Sequence, residues 1–184
     1  MAQGVIIAGS GRGCAFARQL SENRLRKVVA LVEPRVSIHP ELRQRFDVEY
    51  QSPETVLIPS LEEALARFPK EVADTVVIVT PNDTHAELLR QSLEAGRHVM
   101  LEKPAAASQS DLEKIARVHA EHPDLVVQLG FVLRFSKYFR KVKGIIDSGE
   151  LGQLVLIQMN EWLDFQHSGG AYRRGWRRKQ AATG

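Results

Sequence analysis

The chain has a single cysteine, Cys14, so it cannot close an internal disulfide, and this suits a reducing compartment. It has no long apolar run either. The stretch Val5 to Ala8 is too short for a signal-peptide core or a membrane span, and Met1-Ala2-Gln3-Gly4 brings no basic residues ahead of it. There is no low-complexity linker and no internal repeat. The last acidic residue is Asp164, and beyond it lie Arg173, Arg174, Arg177, Arg178 and Lys179. Without those five, 20 basic residues face 22 acidic ones, so the net charge of +3 belongs to the tail. A short terminal cluster is not the basic stripe of a nucleic-acid binder. The expectation is a cytoplasmic protein with neither a nucleic-acid nor a membrane partner.

An apolar share of 43% with 26% charge fits a globular chain, and 184 residues suffice for one full core and a little more. Short apolar runs alternate with helical patterns. Strands are expected at Val5–Ala8, Val28–Val32, Thr55–Ile58, Thr75–Val79, His98–Leu101 and Leu125–Leu129. Helices are expected at Cys14–Leu20, Pro40–Phe46, Leu61–Phe68, Thr84–Ala95 and Ser108–Glu121. Strand–helix alternation predicts an α/β fold with a parallel, doubly wound sheet. After Phe131 the rhythm changes to one helix, Lys137–Ser148, and one amphipathic strand, Leu154–Trp162. One helix and one strand cannot bury a sheet face. The division is therefore residues 1–131 as a Rossmann-type dinucleotide-binding domain and 132–184 as the beginning of an incomplete α+β second domain.

The first loop, Ala8-Gly9-Ser10-Gly11-Arg12-Gly13-Cys14, is a glycine-rich strand-to-helix turn, which lets backbone N–H groups approach a pyrophosphate. Two registers onto G-x-G-x-x-G are open. Gly9-x-Gly11-x-x-Cys14 keeps the first two glycines; Ala8-x-Ser10-x-x-Gly13 keeps the third. The second is preferred, because it sets Gly13 seven residues before Leu20 on the helix face that packs on the sheet. Glu33 ends the second strand, twenty residues after Gly13, where an acid hydrogen-bonds the adenosine ribose. Arg35 could instead pair with a 2′-phosphate, but Glu33 would repel that phosphate, so NAD is favoured with NADP as the alternative. Cys14 is expected to be a packing residue.

Thr80-Pro81-Asn82-x-x-His85, Glu102-Lys103-Pro104, Gly130-Phe131-x-x-Arg134-Phe135 and Ile145-Ile146-x-x-Gly149-x-x-Gly152 occur in that order. Together they resemble the signatures of the Gfo/Idh/MocA oxidoreductase family, over Val5 to about Trp162. Trp176-Arg177 after Gly169-Gly170 resembles the family's active-site loop more loosely. The resemblance implies an NAD(P)-dependent dehydrogenase that moves hydride between a nicotinamide and a sugar, cyclitol or related polyol. It sets Thr80, Pro81, Asn82 and His85 against the cofactor, with Gly9, Ser10, Gly11, Arg12 and Gly13 at the pyrophosphate. Glu102 is placed by the nicotinamide ribose and Lys103, before a cis proline bond, at the reacting carbon. Arg134, Trp176 and Arg177 join Lys103 at the substrate. No metal ligands are assigned.

The resemblance also places the proton-transferring histidine and its companion aspartate beyond Gly184; His39, His98, His119, His122 and His167 lack a matching context. The complete protein is expected to be the enzyme and a homo-oligomer, and the 184-residue chain alone inactive. A dinucleotide-binding module or redox sensor, and an NAD-dependent glycoside hydrolase of the same family, stay open as alternatives.

Overall fold

The computed structural model describes residues 3–22, 26–37, 55–162 and 176–183; the expected Pro40–Phe46 helix, His39 and His167 lie outside them. Strand β1 (Gln3–Ala8) leads into helix α1 (Ser10–Glu22), then β2 (Arg26–Val32) and a 3₁₀ turn at Pro34–Ser37. Next come β3 (Val56–Ile58), α2 (Leu61–Arg67), β4 (Ala73–Ile78), a 3₁₀ turn at Asn82–Thr84 and α3 (His85–Glu94). β5 (His98–Leu101), α4 (Gln109–Glu121) and β6 (Val127–Leu129) complete the sheet. A 3₁₀ turn at Val132–Phe135, α5 (Lys137–Asp147), a 3₁₀ turn at Trp176–Arg178 and the short α6 (Gln180–Thr183) follow.

The six strands run in the order β3-β2-β1-β4-β5-β6, with every pairing parallel. This is the doubly wound arrangement, and its order reverses between β1 and β4. Both faces of the central strands are buried, as their apolar runs require. Ile6, Ala8, Ala30, Val32, Val76, Ile78, Val99 and Leu101 face one core with Leu89 and Leu93 of α3. Val5, Ile7, Val28, Leu31 and Val77 face the other with Cys14 and Ala17 of α1. Each fully buried Ile or Leu in these clusters contributes about 1.5–3 kcal/mol.

Local chemistry sets the helix ends. Ser60 Oγ accepts from Glu63 N at 3.1 Å and Ser108 Oγ from Asp111 N at 3.2 Å, capping α2 and α4. Gly96 and Gly149 end α3 and α5 with φ of +71° and +75°.

Two expectations need correcting. α1 begins at Ser10 rather than Cys14, because Gly11 and Gly13 are helical and only Gly9 forms the turn. Leu154–Trp162 is not a strand: the segment has no regular hydrogen bonding, and Val155 and Trp162 are 94% and 93% exposed. A strand needs a neighbour for its N–H and C=O groups, and among the described residues no strand lies beside this one.

Candidate cofactor-binding edge

In a parallel sheet the chain leaves every strand on one side, so the turns after β1, β2, β4 and β5 collect at a single edge. Backbone bonds lace that edge together. Gly9 N donates to Val32 O at 3.0 Å, Val79 N to Ala8 O at 2.9 Å and Glu102 N to Ile78 O at 2.9 Å.

The three glycines of the first turn do different work. Gly9 has φ of +107°, and a Cβ there would sit 2.8 Å from Val79 O, so the turn is closed to any other residue. A Cβ on Gly13 would lie 3.0 Å from Ile7 Cγ2 and 3.1 Å from Leu31 Cδ1; this glycine lets α1 lie close on the sheet. That is the packing role expected in the register Ala8-x-Ser10-x-x-Gly13. A Cβ on Gly11 would meet nothing within 4 Å, so the first turn of α1 is open on that side. No acidic residue stands in that turn. Its free N–H groups and the helix dipole therefore favour an anion.

Glu33, at the end of β2, is only 4% exposed. Ser10 Oγ donates to its Oε2. Arg35 grips it with Nε on Oε1 at 2.8 Å and Nη2 on Oε2 at 2.9 Å, and Arg35 N adds a bond to Oε1 at 3.1 Å. The Arg35 side-chain bonds, helped by Ser10 and opposed by burial, hold the Glu33 carboxyl well below the usual carboxylate range, at about 2. The serine that stands in a fingerprint glycine position thus orients the acid, a role the glycine pattern alone does not show.

After β4, Thr84 Oγ1 closes the Thr80-Pro81-Asn82 turn on Thr80 Oγ1 at 2.6 Å and Pro81 O at 2.7 Å. His85 is fully buried, with Nδ1 2.9 Å from Pro104 O and Nε2 3.1 Å from Thr80 O. Both ring nitrogens lie against backbone carbonyls, so the buried ring sits between two loops of the edge.

Glu102 follows β5 and is 8% exposed. One carboxylate oxygen pairs with Arg12 Nη1 and the other accepts from Lys103 N. Gly130 makes room for it: a Cβ there would come within 3.2 Å of Glu102 Oε2. The Arg12–Glu102 pair, 90 residues apart in sequence, reaches from the β1 turn past β4 to the β5 turn, across the crevice where the strand order reverses. Glycine and acid motifs gave no sign of this pairing.

Lys103 is exposed, and its bond to Pro104 is cis, as the resemblance implied. Arg134 sits on the turn after β6 with its guanidinium 5.5 Å over the Phe131 ring. Arg177 stacks 4.5 Å over Trp176, and α6 just beyond packs on the Asn82 turn, where Asn82 Nδ2 donates to Thr183 O at 3.3 Å. The tail thereby returns to the same edge, a contact no sequence pattern announced. Among the described residues, no three His, Cys, Asp or Glu side chains converge to hold a metal, and no helix is long and apolar enough to cross a membrane.

A sequence model of the oxidoreductase family with an NAD-binding Rossmann fold, Gfo/Idh/MocA, matches residues 3–131. The chain belongs to this family. It is similar to the inositol 2-dehydrogenase of Salmonella paratyphi B, 33% identical over 84 residues, which are 46% of this chain and 25% of that protein. The inositol 2-dehydrogenase of Rhodococcus jostii is 37% identical over 83 residues, 45% of this chain and 23% of the relative. The crystal structure of scyllo-inositol dehydrogenase from Lactobacillus casei with bound NAD(H) and scyllo-inositol superimposes with a TM-score of 0.71. It is 27% identical, over 83% of this chain and 43% of that one. The chain therefore spans less than half the length of these family members. What a dinucleotide needs at the edge fits the family: an open helix N-terminus, a glycine turn, a buried acid after β2 and a switch point between β1 and β4.

Proposed function

We propose that this chain binds NAD(H) along the carboxyl edge of its sheet and serves an NAD-dependent dehydrogenase acting on a polyol, cyclitol or sugar. The observation that carries the reading is convergence. The open first turn of α1, Glu33, the Thr80–Asn82 turn and Glu102-Lys103 come from four separate strand ends and meet on both sides of the β1/β4 reversal. The inositol dehydrogenases among the relatives point to a cyclitol. NADP is the less favoured cofactor, since its 2′-phosphate would meet Glu33.

In this reading residues 1–131 hold the dinucleotide, and 132–184 begin the substrate and oligomerisation part of a cytoplasmic homo-oligomer. Bound NAD supplies the hydride acceptor. The protein's share is placement and charge. The α1 N-terminus and Arg12 receive the pyrophosphate, Glu33 the adenosine ribose, and Glu102 the nicotinamide ribose. Lys103 presents an ammonium to the substrate oxygen, whose developing negative charge a fixed cation stabilises. Arg134, Trp176 and Arg177 are the candidate substrate contacts. His98, His119 and His122 stand at the opposite edge, at the start of β5 or the end of α4, and are not assigned the substrate proton.

The test is Lys103→Met in the complete enzyme, with myo- and scyllo-inositol as substrates. Turnover should fall by about 10²–10³, the scale for losing one preorganised charge-stabilising donor. Melting temperature and NAD(H) affinity should hold. Near-normal turnover, or loss explained by unfolding, would overturn the assignment.

A further inference from the structure

We infer that His85 is a positioning residue that sets Lys103, resting on the reading of Lys103 given above. The ring starts α3, directly behind the Thr80–Asn82 turn, and is fully buried. Its Nδ1 meets Pro104 O at 2.9 Å, on the residue after Lys103; its Nε2 meets Thr80 O at 3.1 Å. One rigid ring therefore spans the turns after β4 and β5. Other fixtures of the second turn stop at Glu102, whose N–H bonds Ile78 O at 2.9 Å and whose carboxylate is shared between Arg12 and Lys103 N. Lys103 is exposed and Pro104 cannot donate. The bond from His85 holds Pro104 itself, between Lys103 and the stretch where Ala105 and Ala106 pack on the core.

Carbonyl oxygens only accept, and a neutral imidazole donates from one nitrogen. We take Nδ1, the closer nitrogen, as the donor to Pro104 O, which leaves Nε2 beside Thr80 O without a hydrogen bond. An asparagine side chain places an amide donor near the Nδ1 position, whereas glutamine reaches the Nε2 position and leucine donates nowhere. The three variants separate the lysine-side bond from mere filling of the space.

The experiment uses the 184-residue chain and reads three quantities for wild type, His85→Asn, His85→Gln and His85→Leu. These are the backbone amide shifts of Lys103 and Ala105 without cofactor, the Kd for NADH and the melting temperature. His85→Gln and His85→Leu should move the Lys103 and Ala105 resonances; because Lys103 N also holds the Glu102 carboxylate, a backbone bond that Lys103→Met keeps, they should weaken NADH about tenfold, the equivalent of one lost hydrogen bond. His85→Asn should leave both near wild type. If the three variants bind alike, or weaken in step with their melting temperatures, the residue only fills space and the inference fails. If wild type does not bind NADH, the functional reading fails, and the cofactor-free amide shifts still decide the positioning role. Should the variants not fold, ring nitrogen NMR of wild type decides it: a protonated Nδ1 supports the inference and a bare Nδ1 overturns it.

Discussion

Arg35 holds Glu33 by both arms of its guanidinium, at 2.8 Å and 2.9 Å, so the acid that would read the adenosine ribose is already engaged. Glu33 is buried and cannot leave; the Arg35 side chain is 60% exposed and can. Cofactor choice becomes a contest in which NAD must displace Arg35 from Glu33, while a 2′-phosphate would use the freed guanidinium. Arg35→Ala should tighten NAD(H) about two- to fivefold, the scale of a solvent-screened ion pair, and weaken NADP(H). Parallel titrations with the two cofactors check it. Weaker NAD(H) binding would mean that Arg35 supports the ribose site instead.

The same clamp gives a pH signature. The folded state holds the Glu33 carboxyl at about 2 against an ordinary 4.5, chiefly through Arg35. A lowered value means the charged form is favoured on folding. The resulting stabilisation is complete above about pH 4.5 and is lost as pH falls towards 2. Thermal melts of wild type and Glu33→Gln should converge on acidification through this window. Curves that stay parallel would contradict the assignment.

The glycines of the first turn should respond in three different ways. Gly9→Ala combines a φ of +107° with a 2.8 Å approach to Val79 O and should be strongly destabilising, by at least about 1–3 kcal/mol. Gly13→Ala presses on the ends of Ile7 and Leu31 and should cost about 1 kcal/mol. Gly11→Ala meets nothing and should stabilise the helix by about 0.4–1 kcal/mol, yet weaken NADH where the pyrophosphate approaches. Urea melts beside cofactor titrations separate the two effects. A Gly11→Ala protein that binds NADH as wild type would move the phosphate away from this turn.

The opposite edge should matter for stability alone. Arg97 is 3% exposed and donates to Ala73 O at 2.6 Å and Phe68 O at 2.8 Å, pinning the loop between α2 and β4. Arg97→Met removes both bonds, one buried and one part-buried, and should cost about 1–3 kcal/mol. Its NADH affinity should match wild type, since Arg97 precedes β5 at the amino edge. A changed Kd at unchanged stability would contradict this.

The sheet was legible because its inner strands carry short apolar runs that end close to glycine, proline or an acid, a pattern set by burial of the central strands on both faces. Gly13 and Glu33 were legible because their spacing reports strand and helix geometry. Leu154–Trp162 was misread because alternation records a side-chain pattern, whereas a strand also needs a neighbour to bond. The buried seat of His85 was not legible, because a motif shared with cofactor-binding turns does not say which side of the turn the ring takes. The Arg12–Glu102 pair and the return of α6 to Asn82 were invisible. They join positions about 90 and 100 residues apart that no local spacing connects.

The most direct test of the central claim, a dinucleotide across the β1/β4 reversal, is calorimetric titration of NADH into the chain and its Glu33→Ala variant. The expected result is one site per chain in wild type and a loss of about 1–3 kcal/mol in the variant, which removes the ribose acceptor. No binding by wild type, or equal affinity in a folded variant, would contradict it.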